Sequence, residues 1–260
     1  MPDQYSTIDY EGIYWENEYA EAVRREKEDC CVRAGELIYL SRIPVRTILD
    51  FGCGLGITVK WLRESLGMDA YGIDKYGRFD TTDYLFKEDL LQTEMLLPES
   101  IDAILSVEVV EHLPQSKIVP IFSKLRDLLK PGGFILINTG TLEFTEESEI
   151  NRGYIDPAVR GHISIFSRQT FKKLGETVGL IHIPMWSRTW CSLFFKPLRG
   201  RTRDFPLRGG LRENKETLLQ SRKIYYIVRK TLLAEKIVHS LKIPRRRMVQ
   251  LISLIGRSRI

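Results

Sequence analysis

Cysteine is scarce in this chain. Four occur in 260 residues, at Cys30, Cys31, Cys53 and Cys191. None of their spacings suits a zinc ligand set or a disulfide framework. Adjacent Cys30 and Cys31 cannot readily pair with each other. A reducing cytoplasm is therefore the expected setting, and no metal site is expected. No apolar run reaches the roughly 18 residues of a membrane span. The first residues carry acids and no apolar core, so they do not read as a secretory signal. The chain has no internal repeat either. Core-forming material is abundant: 43% of residues are hydrophobic, enough for one large soluble α/β domain with or without an appendage.

The net charge of +5 hides an uneven distribution. Lys196 to Ile260 holds 18 basic and 4 acidic residues, whereas residues 1–195 hold 21 basic and 30 acidic. An acidic body with a basic end implies an anionic partner for that end.

The sharpest motif is Ile48-Leu-Asp-Phe-Gly-Cys-Gly-Leu-Gly56, an apolar run that stops in an acid and opens into three glycines at alternate positions. It reads as a strand reaching the carboxyl edge of a sheet. The turn that follows has almost no side-chain bulk, so the backbone can approach a ligand closely. Eighteen residues beyond Gly56, Ala70-Tyr-Gly-Ile-Asp74 repeats the pattern of apolar run and acid. In a doubly wound sheet the second strand ends beside the first glycine turn, and an acid there accepts ribose hydroxyls. The spacing is Gly-x-Gly-x-Gly, not the Gly-x-Gly-x-x-Gly of dinucleotide-binding turns. Asp50 would stand where a pyrophosphate lies, and like charges repel. A cationic ligand fits better.

Periodicity and turn signals give the order of elements. Helices are predicted over Glu16–Leu40, Gly56–Leu66 and Ser116–Leu129, and strands over Val45–Asp50, Ala70–Ile73, Tyr84–Lys87, Ile101–Val107 and Phe134–Asn138. Pro131-Gly132-Gly133 reads as a turn. Ser167 reads as the N-cap of a helix through Val178, and Leu180–Trp186 and Thr189–Phe195 as hairpin-paired strands. This alternation implies an α/β fold with a doubly wound, mostly parallel seven-stranded sheet. Residues 140–163 lack periodicity and lie where an active-site insertion would sit.

Leu49-Asp-Phe-Gly-Cys-Gly-Leu-Gly56, Gly72-Ile-Asp74, Asp102-Ala-Ile-Leu-Ser-Val-Glu-Val-Val-Glu-His-Leu113 and Leu128-Leu-Lys-Pro-Gly-Gly-Phe-Ile-Leu-Ile137 stand in this order along the chain. Together they resemble the successive motifs of class I S-adenosylmethionine-dependent methyltransferases, over residues 10–195. The similarity is closest to the branch acting on small molecules, sugars and quinone-like acceptors. It implies a Rossmann-like fold and S-adenosylmethionine as the cofactor, held by Asp50, Gly52, Cys53, Gly54, Gly56 and Asp74. By the same resemblance Asp89 accepts from the adenine amino group and Leu90 donates its backbone N–H. Val107 and Glu108 close the fourth strand and reach toward methionine or the acceptor.

His112, beside Glu111, is the candidate base for an acceptor hydroxyl. The bland alternative is a helix cap or loop brace. His162, in Arg160-Gly-His-Ile-Ser-Ile-Phe-Ser167, is the rival catalytic and acceptor-binding histidine. Tyr14 and Trp15 would cover the site as a lid, or simply pack a helix. No Asn-Pro-Pro-Tyr-type motif follows the fourth strand, which disfavours methylation of the adenine amino group.

Three segments are expected: an N-terminal helical lid (1–44), the cofactor-binding domain (45–197), and a basic linker with an amphipathic helical tail (198–260). In the tail, Ile224, Ile227, Thr231, Ala234, Val238 and Leu241 recur at spacings of three and four. Arg222, Arg229 and Lys236 recur at seven, beside Lys223 and Lys230. Pro244 ends the pattern, and Arg245-Arg-Arg247 precedes a second apolar segment, Met248–Ile255. Residues 214–255 are therefore expected either to lie on an anionic membrane surface, at its inner face, or to pack on protein. Sparse aromatics among the basic residues argue against nucleic acid. The expected activity is O-methylation of a sugar or lipid-linked glycan. The alternatives are RNA or protein methylation, or a non-catalytic binding protein on the same fold.

Overall fold

The computed structural model describes residues 9–10, 12–41, 43–143, 154–185, 191–198 and 211–241. Its strands are β1 (Thr47–Phe51), β2 (Asp69–Ile73), β3 (Leu85–Phe86), β4 (Ile101–Val107), β5 (Leu129–Asn138), β6 (Ile181–Pro184) and β7 (Cys191–Phe195). They form one seven-stranded sheet in the order β3-β2-β1-β4-β5-β7-β6. Strands β1 to β5 pair in parallel, and β7 runs antiparallel between β5 and β6. The chain winds outward from β1 to β3, then restarts at β4 on the other side of β1. That reversal leaves a crevice at the carboxyl ends of β1 and β4, where open α/β sheets bind ligands.

Successive strand residues point to opposite faces, and both faces are covered. Ala103, Leu105, Phe134 and Leu136 belong to one buried cluster, with Leu37, Ile38 and Leu62 from the helices. Ile104, Ile135 and Ile137 belong to the other, with Phe122, Leu125 and Phe171. This two-sided burial explains why β4 and β5 read as nearly continuous apolar runs. All four cysteines are buried, and none is in a disulfide.

The flanking helices are α1 (Ile13–Arg25), α2 (Cys31–Leu40), α3 (Ile57–Leu66), α4 (Gln115–Leu128), α5 (Arg168–Val178), α6 (Arg212–Leu219) and α7 (Arg222–Leu241). Ser167 caps α5 by accepting the Thr170 N–H at 3.0 Å, a contact worth about 1 kcal/mol. The helix expected over Glu16–Leu40 is present, but a five-residue π turn, Glu26–Cys30, separates α1 from α2.

One expectation needs correction. Pro131-Gly132-Gly133 is not a turn before the fifth strand; β5 already begins at Leu129 and runs through it. Gly132 takes φ +85° and donates its N–H to Lys196 O at 2.8 Å, while the register with β4 slips between Ile101 and Ala103. The glycines kink a strand without ending it, as a bulge does.

The described part of the tail packs on the protein, one of its two expected placements. Helices α6 and α7 lie on α2, and Leu218, Ile224, Val228 and Leu232 join the core cluster beneath them. Gly35 makes this approach possible, since a Cβ there would meet Ile224 Cγ2 at 2.7 Å. Asn214 is buried and ties the junction: its Oδ1 accepts Val45 N–H at 2.9 Å and its Nδ2 donates to Ile43 O at 3.0 Å. Of the apolar face expected from spacing, Ile224 is buried, whereas Ile227 and Thr231 are half-buried. The buried stripe is offset because α2 offers its one close approach at Gly35. Arg245–Arg247 and Met248–Ile255 lie outside the described residues. No helix among the described residues is long and apolar enough to cross a membrane.

Candidate active site

Strand β1 delivers Asp50 to the sheet edge, and the glycine turn follows. Gly52 (φ +78°) and Gly54 (φ +57°) take left-handed conformations, which side chains other than glycine's disfavour. A Cβ on Gly54 would meet Glu26 Oε1 at 2.5 Å, so the glycine also clears room for a carboxylate from the π turn. That carboxylate accepts the Leu55 N–H at 2.7 Å and the Ile57 N–H at 2.8 Å. The free N–H groups at the start of a helix are where phosphate binds in nucleotide folds. Here Glu26 occupies that place on α3. Burial, above all, pushes its carboxyl up to about 7.

Asp50 is buried below the turn, and burial followed by the charges of Glu26 and Asp74 holds it well above the usual carboxylate range. Asp74 ends β2 beside the turn. One of its oxygens accepts Gly54 N–H at 3.0 Å and the other Tyr76 N–H at 2.8 Å. The Gly77 N–H also donates to this carboxylate, so three backbone donors occupy its four lone-pair sites and one site is left. Asp89 Oδ1 accepts Leu91 N–H at 2.9 Å, which shapes the turn after β3.

The opposite wall comes from the end of β4. Glu108 adopts φ +54°, an unusual conformation for this residue type that marks functional turns. It accepts Asn138 Nδ2–H at 2.9 Å. A 3₁₀ turn, Val110–His112, then places His112 on the cavity wall. Burial, with the neighbouring His162 second, lowers His112 to about 3, so its imidazole is neutral at physiological pH. The Tyr10 hydroxyl shares a hydrogen bond with His112 Nδ1 at 3.2 Å. Tyr10 also stacks on Tyr76, with centroids 5.2 Å apart, and packs on Tyr14 at 5.4 Å. Trp15 Nε1–H donates to Tyr76 O at 2.8 Å, so α1 is fastened across the mouth. The cavity has a volume of about 380 Å³, within the range of small-molecule sites.

A family of methyltransferase domains matches residues 19–182. The chain belongs to the methyltransferase family. Among curated proteins it is similar to phosphoethanolamine N-methyltransferase 2 of Caenorhabditis elegans, with 25% identity over 133 residues. That alignment covers 43% of this chain and 28% of the relative, so this chain spans well under half the relative's length. Among solved structures, a chain of the complex between the Haloferax volcanii Trm112 methyltransferase activator and a methyltransferase aligns at TM-score 0.50 and 15% identity. That alignment covers 76% of this chain and 99% of the other. TnmH aligns at TM-score 0.50 and 18% identity, covering 68% and 56%. At these identities the structural likeness is one of fold.

The cavity gathers most residues expected from the sequence. Asp50, Gly52, Cys53, Gly54, Asp74, Asp89, Leu90, Val107, Glu108, His112, Tyr14 and Trp15 line it. Three stand back from the wall. Gly56 caps α3 at φ +72°. Glu111 is fully buried and accepts the Tyr154 hydroxyl at 3.4 Å; burial, followed by the charge of Glu108, pushes its carboxyl well above the usual carboxylate range. His162 lies behind His112, ring centroids 4.8 Å apart, with Nδ1 2.9 Å from Tyr154 O. Donor atoms of Glu111, His112 and His162 come within 4.8 Å of one another. Tyr10, Arg25, Glu26 and Tyr76 line the cavity without having been singled out as site residues. Arg25 and Glu26 sit in a run of alternating charges that reads as a solvated helix face. Nothing local marks them, because their partners lie on other elements.

Proposed function

We propose that this methyltransferase uses S-adenosylmethionine and transfers its methyl group to a hydroxyl of a small acceptor, a sugar or lipid-linked glycan. The observation that carries the cofactor reading is the carboxylate of Glu26 on the first turn of α3. It fills the protein's natural phosphate seat with a carboxyl that a bound cation would draw into its ionised form, beside Asp50 and Asp74. A dinucleotide is repelled there, whereas an amino group and a sulfonium are attracted. Asp74 would receive a ribose hydroxyl and Asp89 with Leu90 the adenine. S-adenosylmethionine, when bound, supplies an electrophilic methyl group on a positively charged sulfur. The chain's own contribution is alignment, exclusion of water by α1, and management of the acceptor's proton.

His112 suits the last role by position. It is neutral, on the wall, and oriented by Tyr10. Its low proton affinity favours removal of the acceptor proton late, as the oxygen–methyl bond forms and the oxygen becomes acidic. His162 supports it from behind.

One observation favours a second reading, an amine acceptor. Glu108 and the aromatic rings of Tyr10, Tyr14 and Tyr76 share the cavity, and acidic and aromatic walls attract cations. The similar Caenorhabditis elegans protein is named for N-methylation of a phosphorylated amino alcohol. RNA is disfavoured, since an acidic wall repels phosphate. Labelled-methyl transfer from S-adenosylmethionine to a panel of sugars, glycolipids and amino alcohols separates the readings. Uptake by sugars alone supports the first; uptake by amines alone replaces it. Calorimetry showing a nicotinamide dinucleotide bound in preference to S-adenosylhomocysteine would overturn the cofactor assignment.

A further inference from the structure

Among the described side chains of α7, residues 222–233, one face packs on the core. Ile224, Val228 and Leu232 turn inward to the core, while Tyr226 and Leu233 point outward and are 61% and 57% exposed. Positions seven apart line up on a helix of 3.6 residues per turn. Tyr226 and Leu233 thus form one outward stripe, and Leu219, at the end of α6, is also exposed. On the same helical geometry, Arg222 and Arg229 run along one side of the stripe and Lys223 and Lys230 along the other, all exposed. No acid occurs between residues 222 and 233. The stripe is therefore apolar in the middle and positive on both flanks, opposite the face that holds the helix to α2.

From this geometry we infer that the outer face of α7 docks on an anionic lipid bilayer. Tyr226 and Leu233 enter the boundary between headgroups and acyl chains, and the four basic residues meet the lipid phosphates. Arg and Lys are the right flanking residues, because their alkyl stems lie along apolar surface while their charges stay in water. The stripe is narrow, so neither term suffices alone and the attachment is reversible. Single-stranded nucleic acid asks for several stacking platforms between the charges, and the stripe offers one ring. The inference does not depend on the identity of the acceptor. It differs from the sequence-based expectation in the face concerned, since Ile224 is committed to the core.

The test uses the full chain and sedimentation with vesicles of phosphatidylcholine, with or without phosphatidylglycerol. Binding is expected only with the anionic lipid, and is expected to fall about tenfold or more in high salt. The substitutions Tyr226→Ser with Leu233→Ser, and separately Arg222→Glu, Lys223→Glu, Arg229→Glu and Lys230→Glu together, are each expected to lower binding at least about tenfold. S-adenosylhomocysteine calorimetry on each variant checks that the chain is folded, and Tyr226→Ser alone serves if a multiple variant is not. The inference is overturned if the full chain ignores anionic vesicles, or if folded variants bind them as the parent does. It is equally overturned if these residues instead govern self-association or RNA binding while vesicles are ignored.

Discussion

Replacing Glu26 with alanine removes the carboxylate that sits on the first turn of α3. Two backbone donors, Leu55 N–H and Ile57 N–H, lose acceptors at 2.7 and 2.8 Å. A buried donor left without a partner costs about 1–3 kcal/mol, and Ile57 is only partly buried, so a total loss of about 2–4 kcal/mol is expected. The change also exposes helix N–H groups to solvent anions. Urea denaturation should show the loss, and phosphate should stabilise Glu26→Ala while leaving the parent unaffected. Glu26→Gln removes the titration but keeps only one acceptor oxygen, so it loses one of the two N–H bonds at every pH and is compared with the parent by its pH slope. The Glu26 carboxyl is raised from 4.5 to about 7, so between these values the folded state holds a proton that the unfolded state has released. Stability from this group is present in full below pH 4.5 and lost as pH rises to about 7. The loss amounts to about 3 kcal/mol at most, at 1.36 kcal/mol per pH unit. Glu26→Gln lacks that slope and should gain on the parent between pH 5 and 8. A Glu26→Ala protein with parental stability and no response to phosphate would refute the reasoning.

Asp74→Ala should weaken S-adenosylhomocysteine binding by about 1–3 kcal/mol in calorimetry; unchanged affinity would remove Asp74 from the ribose site. His112→Ala should lower kcat by about 10²–10⁴ with little change in cofactor affinity, and His162→Ala, one layer back, should cost less. The reverse order would make His162 the base. Leu218→Ala should destabilise the fold by about 2–5 kcal/mol in denaturant titration, since Leu218 is fully buried. A chain ending at Pro197 should be insoluble, because the surface that receives Leu218, Ile224 and Val228 is then uncovered; a soluble, cofactor-binding truncation would show that α6 and α7 are dispensable.

Much of the sheet could be read from one dimension because its signals are local. The apolar run Ile101–Val107 has no other stable use than a strand covered on both faces. Ser167 marks its helix through a bond only three residues long. The acid–glycine turn and Asp74 declare a binding edge because glycine spacing and strand ends are properties of neighbouring residues. Pro131-Gly132-Gly133 misled for the same reason: locally it is a turn, but pairing with β4 and β7 holds it in a strand.

What the tertiary structure alone decided depends on residues far apart in the chain. Glu26 reaches Leu55 and Ile57 only because a π turn rotates it over the start of α3. Tyr10 meets His112 across 102 positions. The tail's periodicity announced an amphipathic helix, yet a helix with basic flanks and more than one apolar stripe can bury any of them. Gly35 on α2 made the choice, by letting Ile224 and Val228 approach where any side chain would have blocked them. The sequence by itself determined the elements, the sheet and the edge that carries the cavity, since these follow from short-range period and backbone chemistry. Which charges face one another in the cavity, and which face of α7 looks outward, were set by packing, because burial and Coulomb energy depend on distance in space.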